Sequence, residues 1–246
     1  MRRLAALATV LAAVAGCGGG EETLTVSAAA SLKTALTRYG GAFDDARARF
    51  SFAGSDELAA QIRRGVRPDV FASADTKLAD ELYGEGLVER PVTFAGNRLV
   101  LAAPADGEVR SLADAGRPGT SLAAGSESVP VGAYTRTVLS RLPERDSSAI
   151  LRNVRTEEPD VAGIAGKLAQ GAVDAGFVYA SDVRAAGGRL RAIDLPADLQ
   201  PTVAYGVAVV TGTDRRDAAQ AFVDGLLEGA GRDALEASGF EPPPPR

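Results

Sequence analysis

The sequence predicts an α/β fold in which strand and helix alternate along the 246 residues of the chain. Three observations carry this. Short runs rich in Val, Ala and Phe give way repeatedly to stretches with apolar residues at helical spacing. Glycines and prolines punctuate the changes of period. Two serines, Ser31 and Ser55, each stand where a strand pattern turns into a helix pattern. Alternation of this kind favours a largely parallel sheet covered by helices.

Residues 24–28 read as a strand, and the helix after Ser31 places Leu32, Leu36, Tyr39 and Phe43 on one stripe. Residues 50–53 form a short strand. After Ser55, Asp56 and Glu57 fall in the first helical turn, where acids are favoured, and Leu58 and Ile62 face inward until Gly65 ends the helix. Residues 69–73 read as a strand, and 76–83 as a helix stopped by Gly84 and Gly86. Strands follow at 98–102 and 121–124. Pro130 opens a helix striped by Tyr134, Val138 and Leu142. Pro159 and Asp160 open another, carrying Val161, Ile164, Ala165 and Leu168. Residues 175–179 are a strand, after which Ser181 caps a short helix ending at Gly187 and Gly188. Strands at 190–194 and 203–210 and helices at 217–227 and 232–238 complete the pattern. No internal sequence repeat is visible, and no apolar sector suggests a single large core.

The ends read differently. Met1, Arg2 and Arg3 make a charged start, residues 4–15 are apolar, and Val14, Ala15 and Gly16 precede Cys17 as in a bacterial lipobox. The apolar run is too short to span a membrane, so residues 1–16 read as a lipoprotein signal peptide and Cys17 as the lipidated residue, with 17–22 as anchor and linker. Residues 241–246 form a Pro-rich tail, expected to be disordered.

Absences narrow the chemistry. The chain has no His, no Trp and a single Cys, the one assigned to the anchor. That removes Cys/His zinc sites and the Ser-His-Asp and Cys-His forms of nucleophilic catalysis. Ala30, Ala74 and Ile164 stand three residues before Lys33, Lys77 and Lys167, so there is no Ser-x-x-Lys motif. No Walker A or GxGxxG pattern is present. The formal charge is −5, and loss of Arg2 and Arg3 with the leader makes it −7. An acidic chain with scattered arginines argues against nucleic acid. An anion, if bound, must be held by local dipoles.

Four helix starts then matter: those after Ser31, Ser55, Pro130 and Asp160. Each offers N–H groups without intrahelical partners at the positive end of a helix dipole. In α/β sheets such starts gather at the carboxyl ends of strands, where ligands bind. Tyr179, at the end of a strand, can add a phenolic donor. Each feature has an ordinary reading too: Ser31, Ser55 and Asp160 as caps, Pro130 as a first helical residue, Tyr179 as a core aromatic. A hydrolase using Asp69 and Asp75 as paired carboxylates is a competing class, without an evident activated nucleophile.

The order of these elements resembles the molybdate-binding proteins of ABC transporters, a family of periplasmic substrate-binding proteins. AAASL at 28–32 resembles the first ligand loop and SFAGSDELAAQI at 51–62 the second. GVRPDVFASAD at 65–75 is similar to the following strand, and Asn97-Arg98-Leu99-Val100 to the hinge strand. SVPVGAYTRTVL at 128–139, EEPDVAGIAGKL at 157–168 and AGFVYASDV at 175–183 resemble the remaining loops. Ala204-Tyr205-Gly206-Val207-Ala208 resembles the return hinge, and Gly239-Phe240 the C-terminal end.

The resemblance implies a two-lobed periplasmic-binding-protein fold of type II, each lobe a mixed sheet flanked by helices, with the ligand in the cleft. Lobe 1 would comprise 23–96 and 203–240, and lobe 2 residues 97–202. The family's ligand hydroxyls fall on Ser31, Ser55 and Tyr179, and its backbone donors on Val131 and Val161. Two departures stand out: Val131 where Ala is frequent, and Gly206 where Pro is frequent. The implied function is capture of molybdate, and of tungstate with it, as an oxyanion without direct metal ligands. Delivery to an ABC permease by an extracytoplasmic, lipid-anchored monomer follows; no enzymatic activity and no cofactor are implied. The alternatives are a binder of sulfate or phosphate, or an anion-sensing lipoprotein.

Overall fold

The structure, a computed structural model, describes residues 22–245. The signal peptide, Cys17 and most of the linker lie outside the described residues.

The chain begins with β1 (Thr23–Ala29), a 3₁₀ turn (Ala30–Leu32) and α1 (Lys33–Gly40). It continues through β2 (Arg47–Ala53), α2 (Ser55–Arg63), β3 (Val70–Ser73), α3 (Lys77–Gly84) and β4 (Val92–Asn97). Then come β5 (Leu99–Pro104), α4 (Leu112–Ala115), β6 (Leu122–Gly125), α5 (Pro130–Ser140), α6 (Glu144–Asn153) and β7 (Val154–Glu158). α7 (Val161–Ala169), β8 (Ala175–Tyr179), α8 (Ala180–Ala185), β9 (Leu190–Asp194), β10 (Val203–Val209), α9 (Arg216–Leu227) and α10 (Ala230–Ala237) complete it.

Among the described residues the strands form two five-stranded sheets, ordered β2-β1-β3-β10-β4 and β7-β6-β8-β5-β9. In the first, β2, β1 and β3 run parallel and β10 runs antiparallel to both β3 and β4. In the second, β7, β6 and β8 run parallel and β5 runs antiparallel to both β8 and β9. The two lobes therefore share one topology, although no sequence repeat betrays it. The sheets are mixed, not largely parallel, because the chain passes between them twice, from β4 to β5 and from β9 to β10. Each return inserts one strand against the parallel set.

Most elements lie where periodicity puts them. α1 buries Leu36 and Tyr39 after the turn has buried Leu32, and Phe43 packs beyond the helix end, its ring 5.2 Å from Phe222. Full burial of side chains such as Leu24, Leu36 and Phe222 stabilises the fold by about 1.5–3 kcal/mol each. One apolar cluster runs through both sheets and the crossing between them, contrary to expectation, while α2 and α3 cover a second, separate cluster on the first sheet. Aromatic rings bridge that crossing: Tyr205 packs edge-on to Tyr179, Phe94 and Phe240.

β2 is longer than expected because its first residues, Arg47 to Arg49, lie on an edge strand that needs no apolar run on its outer face. β4, α4, α6 and β7 are additional to the expected elements. β4 contains Gly96, which reads as a turn residue, and β7 is an edge strand of alternating exposed polar residues. Ser181 is not a cap: Tyr179 occupies the N-cap position of α8 and Ser181 lies buried inside the helix. The Pro-rich tail is ordered where it begins. Glu241 pairs with Gly96 through both backbone bonds, 2.8 and 3.0 Å, and Arg98 joins Glu241 and Asp194 with ion pairs of 3.2 and 2.8 Å. These bonds fasten the tail across the first crossing.

Candidate functional site

The parallel strands of both sheets point their carboxyl ends at one small cavity. From the first sheet, Ala29 ends β1 and Ala30 and Ser31 follow it, Gly54 and Ser55 follow β2, and Ala74 follows β3. From the second, Val129 to Val131 follow β6, Asp160 and Val161 follow β7, and Tyr179 ends β8. Ser31, Ser55, Val131, Val161 and Tyr179 thus line the same cavity. All five are buried. About 20 Å³ is open to the centre of a water molecule, which with the water radius added corresponds to a sphere of roughly 3 Å radius. That is room for one compact ion.

The lobes meet around this space. α7 packs against the 3₁₀ turn that carries Ser31. Gly54 approaches the carbonyl oxygen of Pro159 so closely that a Cβ at this position would collide with it, and the side chain of Val129 lies 3.5 Å from the same point. Glycine here allows the second sheet's loops to close onto the first.

The polar groups are mainly donors. Ser55 is 1 % exposed, and its hydroxyl oxygen accepts from the Ala74 N–H at 3.0 Å. One lone pair is thereby used and the hydroxyl proton is left to donate. Ser31 Oγ lies 3.0 Å from Tyr205 Oη. Val131 and Val161 are at the first turns of α5 and α7, where backbone N–H groups have no intrahelical acceptor. Asp160 is the N-cap of α7: its Oδ1 accepts from Gly163 N–H at 2.9 Å, which supports the capping role over any role in holding a metal. Among the described residues, no lysine or arginine lines the cavity and no cluster of three His, Cys, Asp or Glu side chains is arranged to hold a metal ion.

Tyr179 differs from the rest. It is 1 % exposed, and among the described residues its hydroxyl has no hydrogen-bond partner. Burial, with smaller contributions from Tyr205 and Tyr134, raises its pKa well above the ordinary phenol value, so it stays protonated and can donate. A buried polar group without a partner costs about 1–3 kcal/mol. Beside a cavity lined by other donors, that cost is relieved by an acceptor.

Asp69 and Asp75 do not form a catalytic pair. Asp69 ties β1 to β3, accepting from Thr25 N–H at 2.6 Å and Thr25 Oγ1 at 2.7 Å, and it also accepts from Thr213. Burial opposes its ionisation, but these bonds prevail and its pKa is lowered. Asp75 accepts from Ser73 Oγ and Leu78 N–H at 2.9 and 3.0 Å, and burial raises its pKa. Each carboxylate has its own structural partners.

Residues 24–241 match the bacterial extracellular solute-binding proteins. The chain belongs to this family. As a solute-binding protein it is extracytoplasmic and is not an enzyme. It is 36 % identical over 236 residues to the molybdate-binding protein ModA of Mycobacterium tuberculosis, covering 93 % of this chain and 88 % of that one. It is 32 % identical to ModA of Escherichia coli, covering 93 % of each. The periplasmic molybdate-binding protein of Azotobacter vinelandii superimposes with a TM-score of 0.80 at 22 % identity, over 90 % of this chain and 100 % of that one, which shows the shared fold.

Reading the sequence did not single out Gly54, Asn97, Asp182 or Tyr205 as site residues. Gly54 immediately precedes Ser55, and a glycine between a strand and a helix is the signal of a close backbone approach. Asp182 accepts from the Tyr179 N–H at 3.0 Å and supports that residue from beneath; its acidic first-turn position after Tyr179 is the signal that points to it.

Proposed function

We propose that this solute-binding protein captures molybdate, and tungstate with it, between its two lobes and delivers it to an ABC permease. The observation that carries this is Tyr179: a buried, protonated phenol with no partner among the described residues, beside a cavity of a single ion's size. Ser31 and Ser55 donate from the first lobe, and Tyr179 and the amides of Val131 and Val161 from the second. Hydrogen bonds to a charged acceptor contribute about 1.5–3 kcal/mol each. Several of them, less the cost of closing the lobes, support an affinity on the order of −8 to −12 kcal/mol. Such a pocket favours a tetrahedral dianion that carries no proton. A protonated phosphate leaves its own O–H unpaired, at a cost of about 1–3 kcal/mol. Sulfate is disfavoured by its smaller size, which cannot engage both lobes at once.

The lobes are taken as 23–96 with 203–240, and 97–202. Closure over the ion creates the surface that a permease recognises. The protein acts as a monomer anchored by lipid at Cys17, and a Cys17→Ala variant is expected to lose incorporation of a labelled fatty acid. Calorimetric titration with molybdate, tungstate, sulfate and phosphate tests the assignment. Sub-micromolar binding of the metal oxyanions supports it; no heat with either one overturns it. Stronger binding of sulfate or phosphate would select the alternative ligand.

A further inference from the structure

We propose that Asn97 and Tyr205 form a buried relay that fixes Ser31 as a hydrogen-bond donor to the anion, making Tyr205 a positioning residue for selectivity. The inference rests on the reading that Ser31 contacts the anion. Direction enters at Asn97. Its Oδ1 accepts from the Arg98 N–H at 2.9 Å, which fixes which end of the amide faces inward. The amide nitrogen then donates to Ser181 Oγ at 2.9 Å and reaches Tyr205 Oη at 3.4 Å. An amide nitrogen has only protons to offer. Tyr205 Oη therefore accepts from that side, and its own proton turns to Ser31 Oγ, 3.0 Å away. Ser31 accepts in turn, and its proton is directed to the cavity that it lines.

Two further features support a built device. Asn97, Tyr205, Ser181 and Ser31 are all buried, Tyr205 with 0 % exposure, so bulk water does not compete for the order of the bonds. The pairing of β10 with β4 shifts register between Tyr205 and Gly206, with Phe94 of β4 as the extra residue, so the irregularity lies beside Tyr205 on the strand that ends in Asn97. Asn97 ends β4 and Tyr205 lies on β10, so the relay is anchored on both strands of the crossing. Without the Tyr205 hydroxyl, Ser31 is free to turn and offer a lone pair, and a protonated oxyanion then finds an acceptor.

A double-mutant cycle with molybdate as the probe tests this. The wild type, Ser31→Ala, Tyr205→Phe and the double variant are titrated by calorimetry, with thermal melts to verify folding. Ser31→Ala is expected to weaken binding at least about tenfold and Tyr205→Phe about three- to tenfold, with the double variant no weaker than Ser31→Ala. Losses that multiply would overturn the relay while leaving the pocket assignment intact. Wild-type affinity in Ser31→Ala would overturn the pocket assignment itself. Should Tyr205→Phe fail to fold, Asn97→Ala takes its place in the cycle with the same expectation. Competition by hydrogen phosphate supplies a readout that packing alone would not move. Corrected for molybdate affinity, the concentration needed to displace molybdate should fall about tenfold in the relay variant; an unchanged value counts against the relay.

Discussion

On the first lobe's side of the cavity, Ser31 is bonded to Tyr205 and Ser55 to Ala74, so both hydroxyls are held in place by the protein itself. On the second lobe's side, Tyr179 is buried with no partner among the described residues, and the other donors are backbone amides at the first turns of α5 and α7. The lobes share a strand topology, so this difference comes from side chains. β3 and β8 occupy equivalent places; Ala74, just past the end of β3, donates its backbone N–H to Ser55, whereas β8 ends in a tyrosine. If the cavity takes the proposed anion, the first half is set before it arrives. The second contains a group whose hydrogen bonding is completed only by an acceptor.

The contrast can be broken most severely at the seam. Gly54→Ala places a Cβ against the Pro159 carbonyl and holds the two halves apart. With the second lobe's donors withdrawn, molybdate affinity should fall by about a hundredfold or more in calorimetry, while the thermal midpoint without ligand changes little. Ser55→Ala removes a donor of the preset half and should weaken binding by roughly ten- to hundredfold. Ser181→Ala, whose hydroxyl accepts from Asn97 and does not line the cavity, should cost less; equal losses would mean that Ser55 does not face the anion.

Tyr179→Phe sharpens the contrast because its two effects should have opposite signs. Affinity falls about tenfold, and stability without ligand rises by up to about 1–3 kcal/mol as the unpartnered hydroxyl disappears. Chemical denaturation without and with molybdate measures both, and lower stability without ligand would contradict the description of the second half. The smallest effect concerns Asp182 beneath Tyr179. Burial, reinforced by the charge of Asp160, pushes its pKa up to about 7. The folded protein therefore holds this proton where the unfolded chain has lost it. Its contribution to stability is complete in acid and is lost as pH rises from about 4 to about 7. Asp182→Asn should flatten that part of the profile, seen as a smaller drop in thermal midpoint between pH 5 and pH 8.

Much of this site was legible because its parts are local. Ser31, Ser55 and Asp160 stand at changes of period that a few neighbouring residues define, and Asp160 caps its helix as read. Tyr179 closes a strand whose bounds, Ala175–Tyr179, match the expected ones. The relay was not legible, since Asn97 and Tyr205 are 108 residues apart and, although both fall in the hinge segments, nothing local in either segment shows that their side chains meet. Ser181 was misplaced because its hydroxyl meets Asn97 across the crossing instead of its own helix. β7 and the start of β2 escaped notice because edge strands tolerate charge. The shared topology of the sheets was invisible because it lies in the order of strands, while the side chains have diverged.

The insertion of β10 between β3 and β4 has a consequence for how the chain acquires its shape. The second sheet is built entirely from residues between Leu99 and Asp194, one unbroken stretch. The first sheet lacks its fourth strand, and β3 an edge partner, until Val203–Val209 is available, and Glu241 covers Gly96 later still. A chain emerging from its N-terminus can therefore finish the later lobe first, while β1 to β3 wait with an unpaired edge. Limited proteolysis of ribosome-bound nascent chains that have emerged to just past Asp194 should show β6 and β8 protected while β3 is still cleaved; the reverse order would exclude this route. The strands that come first along the described chain belong to the sheet whose pairing needs the last strand.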